Sequence, residues 1–148
     1  MTRASRPRHG FFREHSLSLT LAAIVAAWFV LYLRADSTTH AGAFYGNALA
    51  DWLGSLVFVV ATKYFFEIGS QESRRPPELQ LRVGQFVVRH SLSIVLALTG
   101  LVWLAAFARS DVDSKSGEVL GNIASEWGQI LGLVLITKYA REKNAKTE

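Results

Sequence analysis

The sequence predicts an all-α membrane protein: four transmembrane helices arranged as a tandemly duplicated helical hairpin. Three observations carry this. The 148 residues are 50% hydrophobic, and the apolar ones gather into four runs of roughly 18–20 residues, the length that crosses a ~30 Å hydrocarbon layer at ~1.5 Å per residue. Phe11–Glu67 aligns without a gap on Phe86–Glu142, and 20 of the 57 pairs are identical. Of the 16 Lys and Arg, 13 lie in the two tails, the middle connection and the adjoining helix ends. By the positive-inside rule, that bias makes both termini and the middle connection cytoplasmic.

The runs are about Ser16–Leu33, Phe44–Tyr64, Ser91–Ala108 and Val119–Tyr139. They divide the chain into a first two-helix unit, residues 1–75, and a second, 76–148. The repeat is not general apolar likeness, because the shared residues are mostly polar, aromatic or Gly: His15-Ser16-Leu17-Ser18 with His90-Ser91-Leu92-Ser93, Trp28 with Trp103, Arg34 with Arg109, Asp36 with Asp111. A hairpin returns the chain to its starting side, so two copies share one orientation and are expected about a pseudo-twofold axis along the membrane normal. A soluble four-helix bundle is the alternative; it is opposed by the first and third runs, which have no polar face.

Met1 to His15 is basic, and with the apolar run and Ala41-Gly42-Ala43 it has the outline of a signal peptide. The 18-residue run is long for a signal core, and the same pattern recurs internally at Phe86–Ala108, so it reads as a membrane span. Helix one carries small residues at Ala22, Ala23, Ala26 and Ala27, helix two the row Gly46, Ala50, Gly54, and helix four the pair Gly128 and Gly132; such spacing lets helix backbones approach closely. The outer loop 35–43 leaves no room for a folded ectodomain. After helix two, Gly69 and then Pro76-Pro77 end the helical run. Glu78 to Arg89 mixes charges with Leu79, Leu81, Val83, Phe86 and Val87, and fits equally an interfacial helix and a plain linker. The second outer loop, Arg109 to Glu118, lacks the ligand set of a calcium loop. No metal site and no cofactor are expected.

Two matched constellations lie inside the second helix of each copy: Asn47 and Asp51 before Trp52, and Asn122 and Glu126 before Trp127. With Lys63 and Tyr64, and likewise Lys138 and Tyr139, as interfacial anchors, Asp51 lies 12 residues in, about 18 Å along the helix. A carboxylate at that depth is costly and needs a partner. Two readings stand. Asp51 and Glu126 form ion pairs with Arg34 and Arg109, with Asn47 and Asn122 bonding between helices. Or they form a protonatable or cation-binding pair near the axis. Trp28, Trp52, Trp103 and Trp127 are expected as further interfacial anchors. His15 and His90 at the starts of helices one and three read as cap positions, or as pH sensors.

His15-Ser16-Leu17-Ser18 before an apolar helix, Trp52 in the second helix, and Gly69-Ser70-Gln71-Glu72-Ser73 after it together resemble an uncharacterised family of small bacterial membrane proteins built from two tandem two-helix units. The second helices of that family tend to carry Trp-x-x-Glu-Phe-Leu-Gln, whereas here the acid directly precedes Trp52 and Trp127. The resemblance implies a bacterial cytoplasmic membrane and no assigned activity. The sequence has no phosphate-cradling Gly-rich loop, HExxH, G-x-S-x-G or potassium-filter signature, so an enzyme is not expected. The basic balance is a topology signal rather than a nucleic-acid surface. The expected partners are the lipid bilayer, further copies of the chain, or another membrane protein. The expected function is a non-enzymatic structural or interaction role. The alternative is a small oligomeric transporter or channel that uses the paired carboxylates.

Overall fold

A computed structural model describes residues 11–36, 38–77, 82–111 and 113–140. Four long helices dominate these residues: α2 (Ser16–Arg34), α3 (His40–Tyr64), α5 (Ser91–Arg109) and α6 (Lys115–Ile136). Two short ones, α1 (Phe11–Glu14) and α4 (Arg82–Arg89), lead into α2 and α5. No strand occurs among the described residues. All four long helices are long and apolar enough to cross a membrane. The outer faces of α2 and α5 are apolar and bare: Leu17, Phe29, Val30, Leu33, Leu98, Leu101 and Val102 are all exposed. Such surfaces suit lipid rather than water, and the chain is a multi-pass helical membrane protein.

Helix α2 packs on α3, α3 on α6, and α6 on α5. One apolar cluster, Leu49, Ala50, Val119, Ile123 and Trp127, joins α3 to α6 and is flanked by Trp28, Tyr32 and Trp103. A second, Ala61, Leu92, Leu96 and Val134, lies nearer the other end of the helices. Both hairpin loops sit at the same end, because Tyr32 Oη donates to the Lys115 carbonyl (2.9 Å) and Lys115 Nζ to that of Ala35 (2.6 Å). The opposite end holds α1, α4 and the connection 65–77, and is called the connection end below.

Helices α3 and α6 begin about four residues earlier than the apolar runs suggest, for one reason in both. Asp36 and Thr39, and again Asp111 and Ser114, build a cap before the first apolar residue. Thr39 Oγ1 accepts from Gly42 N (3.1 Å) and Ser114 Oγ from Gly117 N (3.0 Å). Asp36 Oδ1 accepts from Thr38 N and Asp111 Oδ1 from Asp113 N. Side-chain oxygens here satisfy amides that have no helical partner. The Thr38 amide, then its hydroxyl, hold the Asp36 carboxyl below the usual carboxylate range. A Cβ at Gly117 would overlap the Asp111 carbonyl oxygen, which explains the Gly at 117.

Several expectations are corrected. Helix α6 stops at Ile136, and Thr137–Tyr139 continue in turns. Helix α3 stops at Tyr64 with an extended Phe65, before Gly69; Gly69 instead supplies a left-handed turn (φ +84°) in the connection. His15 and His90 do occupy the N-cap positions of α2 and α5, but neither side chain caps. Trp127 is not an interfacial anchor: it is 5% exposed, lies with its ring centroid 5.7 Å from that of Trp103 at a tilt of 59°, and donates through Nε1 to Thr99 Oγ1 (2.8 Å). Trp28 and Trp103 likewise pack on the core. Trp52, Tyr64 and Tyr139 do face outward. The small-residue row Gly46, Ala50, Gly54 is a contact face: a Cβ at Gly46 would stand 3.1 Å from Val119 and one at Gly54 3.4 Å from Glu126 and Ile130. A Cβ at Gly128 or Gly132 would meet nothing within 4 Å among the described residues, so that pair is not a close-packed helix contact there. Residues 82–89 of the mixed segment are helical as α4, with Phe86 and Val87 exposed; residues 78–81 and both basic tails lie outside the described residues.

Candidate functional site

Two polar sites stand out, one within the spans and one at the connection end. The first follows the α3–α6 seam. Asn122 Nδ2 donates to Asn47 Oδ1 across it, so the matched Asn residues meet. One turn further along, the Asp51 and Glu126 carboxylates interact. Gln129 Nε2 donates to Glu126 Oε1 (3.1 Å) and Ser55 Oγ to the Asp51 carbonyl (3.0 Å). Asn47 and Asp51 are exposed on the outside of the chain rather than enclosed by it.

The expected ion pairs are not made. Among the described residues both ion pairs are on Glu67. The Arg109 guanidinium donates to the Ala105 carbonyl on its own helix (3.3 Å), and Arg34 is exposed in the last turn of α2. Six of the anticipated residues therefore separate: Asn47, Asp51, Asn122 and Glu126 come together, while Arg34 and Arg109 stay at the loop end. No group of three or more His, Asp or Glu able to hold a metal occurs among the described residues.

The second site is centred on Glu67, whose side chain is 0% exposed. The chain leaves α3 extended and runs against the α4–α5 junction. Phe66 N donates to Ser91 Oγ, Leu92 N to the Phe66 carbonyl, and Ile68 N to that of Arg89. This delivers the Glu67 carboxylate to the start of α5. Oε2 accepts from Ser93 N (3.1 Å) and Ser93 Oγ (2.5 Å). Oε1 takes His90 Nδ1 (2.6 Å) and the Lys138 ammonium. Burial pushes the carboxyl up, but the bonds from Lys138, Ser93 and His90 outweigh it and hold it below its ordinary range.

The connection is fastened around the same point. Ser73 Oγ accepts from Glu67 N (2.8 Å), and Ser70 Oγ meets Thr137 Oγ1 (3.0 Å). Lys138, expected as an interfacial anchor, is therefore a half-buried ion-pair partner at 13% exposure. Periodicity could not single out Glu67, which ends the repeat alignment as one charge among many. Two signals were present: its match with Glu142, and the Ser-rich stretch Gly69–Ser73 beside it.

No protein-family model, curated protein or solved structure matches this chain. The reading of function rests on its own geometry.

Proposed function

We propose that this is a non-enzymatic protein of the bacterial cytoplasmic membrane, with both termini cytoplasmic, that works as an assembly of its own copies. The observation that carries this is the exposed Asp51, set within a membrane span on the outside of a single chain with no cation paired to it among the described residues. A carboxylate facing hydrocarbon costs several kcal/mol, on the order of 3 on insertion scales. A neighbouring copy laid over the α3–α6 seam removes that exposure. The open Gly128 and Gly132 on α6 support the same contact, since small residues at that spacing let a second helix approach closely. The exposed Phe11, Phe12 and Phe86 on the lead-in helices suit a seat at the cytoplasmic membrane surface.

The chain contains no cysteine, so one introduced thiol reports contacts cleanly. Gly128→Cys in native membranes should form a disulfide-linked dimer on mild oxidation, while Leu101→Cys, on the lipid-facing side of α5, should not. Monomers from both would overturn the proposal. A second reading is favoured by the Asp51–Glu126 pair, which has no counter-cation among the described residues: the seam between copies carries protons or cations. Proteoliposomes would then show a flux that Asp51→Asn abolishes, and equal flux in wild type and variant would end that reading.

A further inference from the structure

The two spans that begin at the connection end are entered through the same elbow. His15 stands between α1 and α2, and His90 between α4 and α5. They share one backbone conformation, φ −116° and ψ 10° against φ −119° and ψ 16°. Each donates its amide back across the bend, to the Phe11 or the Phe86 carbonyl (3.1 Å in both). Each imidazole packs on that same Phe, with ring centroids 4.4 and 4.8 Å apart. The repeat thus preserves a bend, and with it a short helix that leaves the line of the span. These lead-in helices are apolar and open on one side: Phe11 is 63% exposed, Phe12 79%, Phe86 62% and Val87 49%. Leu17, in the first turn of α2, is bare as well, so the open apolar surface passes from lead-in helix to span without a break.

Charge separates the two ends of the molecule. Counted over the sequence, residues 1–15, 63–90 and 138–148 hold 13 Lys and Arg against six Asp and Glu, whereas the hairpin loops, 34–40 and 109–118, hold three against four. An apolar helix face bordered by basic segments is complementary to an anionic leaflet: the rings enter the acyl boundary and the positive charge draws anionic headgroups. A zwitterionic leaflet would take the rings and leave the charge without a counterpart.

We propose that α1 and α4 are a seat for anionic phospholipid, gathered around the elbows by the basic segments. The seat rests on the membrane-surface position proposed above for these helices, and stands whether or not copies of the chain assemble.

The chain has no cysteine, so Val87→Cys, at an exposed site, carries one fluorophore without disturbing the core. The full-length variant is placed in nanodiscs of mixed phosphatidylcholine and phosphatidylglycerol, with a spin-label quencher near the headgroup end of one lipid or the other. Labelled phosphatidylglycerol should quench about fivefold more effectively than labelled phosphatidylcholine, the enrichment expected of one basic side chain at an anionic surface. The preference should disappear at about 1 M salt, where the Debye length shrinks to ~3 Å. Phe12→Cys should repeat the result on the first hairpin. Leu104→Cys, bare on α5 towards the hairpin-loop end, should be quenched by both lipids alike. Equal quenching by the two lipids at Val87→Cys and Phe12→Cys would overturn the proposal and leave the membrane-surface position intact. No quenching there by either lipid, with Leu104→Cys quenched, would overturn both. A preference as strong at Leu104→Cys as at Val87→Cys would also overturn it, since the lipid would then be gathered by the protein as a whole.

Discussion

Replacing Glu67 by Gln removes one charge and inverts half of a hydrogen-bond set. The carboxylate receives four bonds, two from Ser93 and one each from His90 and Lys138. A Gln carbonyl oxygen can keep the Ser93 pair, but its NH₂ then faces His90 and the Lys138 ammonium, donor against donor. Removing one partner of a buried pair costs roughly 3–5 kcal/mol. The retained Ser93 bonds and the partial exposure of Lys138 (13%) place the loss near the lower end, about 3 kcal/mol. Unfolding of the detergent-solubilised protein by dodecyl sulfate, followed by tryptophan fluorescence, measures it. The pH dependence has a definite sign. The folded carboxyl lies below its ordinary value, so its stabilisation is complete above the unfolded value of about 4.3 and is lost as pH falls through the folded one. Wild type and Glu67→Gln should therefore differ most near neutrality and converge in acid. A loss below about 1 kcal/mol, with parallel curves at every pH, would refute the reasoning.

Three further outcomes are expected in the same unfolding assay. Gly117→Ala should cost about 2 kcal/mol or more, because its methyl meets the Asp111 carbonyl and the cap must open, whereas Gly132→Ala in monomeric detergent micelles should cost nothing measurable. Thr99→Val should cost roughly 1–2 kcal/mol by leaving the Trp127 indole N–H unpaired, with a shift in tryptophan emission as the second readout. Gly54→Val should cost about 1–3 kcal/mol by overpacking against Glu126 and Ile130, while Gly54→Ala, at ordinary contact distance, should be nearly neutral.

The four spans were legible because apolar run length is a direct consequence of bilayer thickness, and Ser16–Arg34 and Ser91–Arg109 match the expected bounds to one residue. The early starts of α3 and α6 were not read, although Thr39 and Ser114 three residues before Gly42 and Gly117 form a recognisable cap pattern once hydropathy is set aside. Asn47 and Asn122 were read as bonding between helices beside the carboxylates; across the α3–α6 seam they bond each other. Their neighbours were assigned arginines that the helices hold at the loop end. Proximity in sequence pattern cannot say how far a guanidinium reaches, and Arg109 spends its reach on Ala105. Trp127 was misread because an indole is equally suited to a membrane boundary and to a core; Thr99, which satisfies its N–H, lies on another helix and leaves no local trace. The Glu67 site joins residues 23 and 71 positions apart (from 67 to 90 and to 138), a separation no periodicity encodes.

That separation orders events during synthesis. Glu67 emerges before His90, Ser93 and Lys138, so for that interval its carboxylate is without the partners it has in the complete chain. Ser93 and His90 arrive with the start of α5 and satisfy part of it; the ammonium arrives only after the whole of α6. The bond therefore closes only when the second hairpin has been made in full. A chain halted within α6 would hold the Glu67 carboxylate without Lys138, leaving a marked difference between unfinished and finished copies at the same surface.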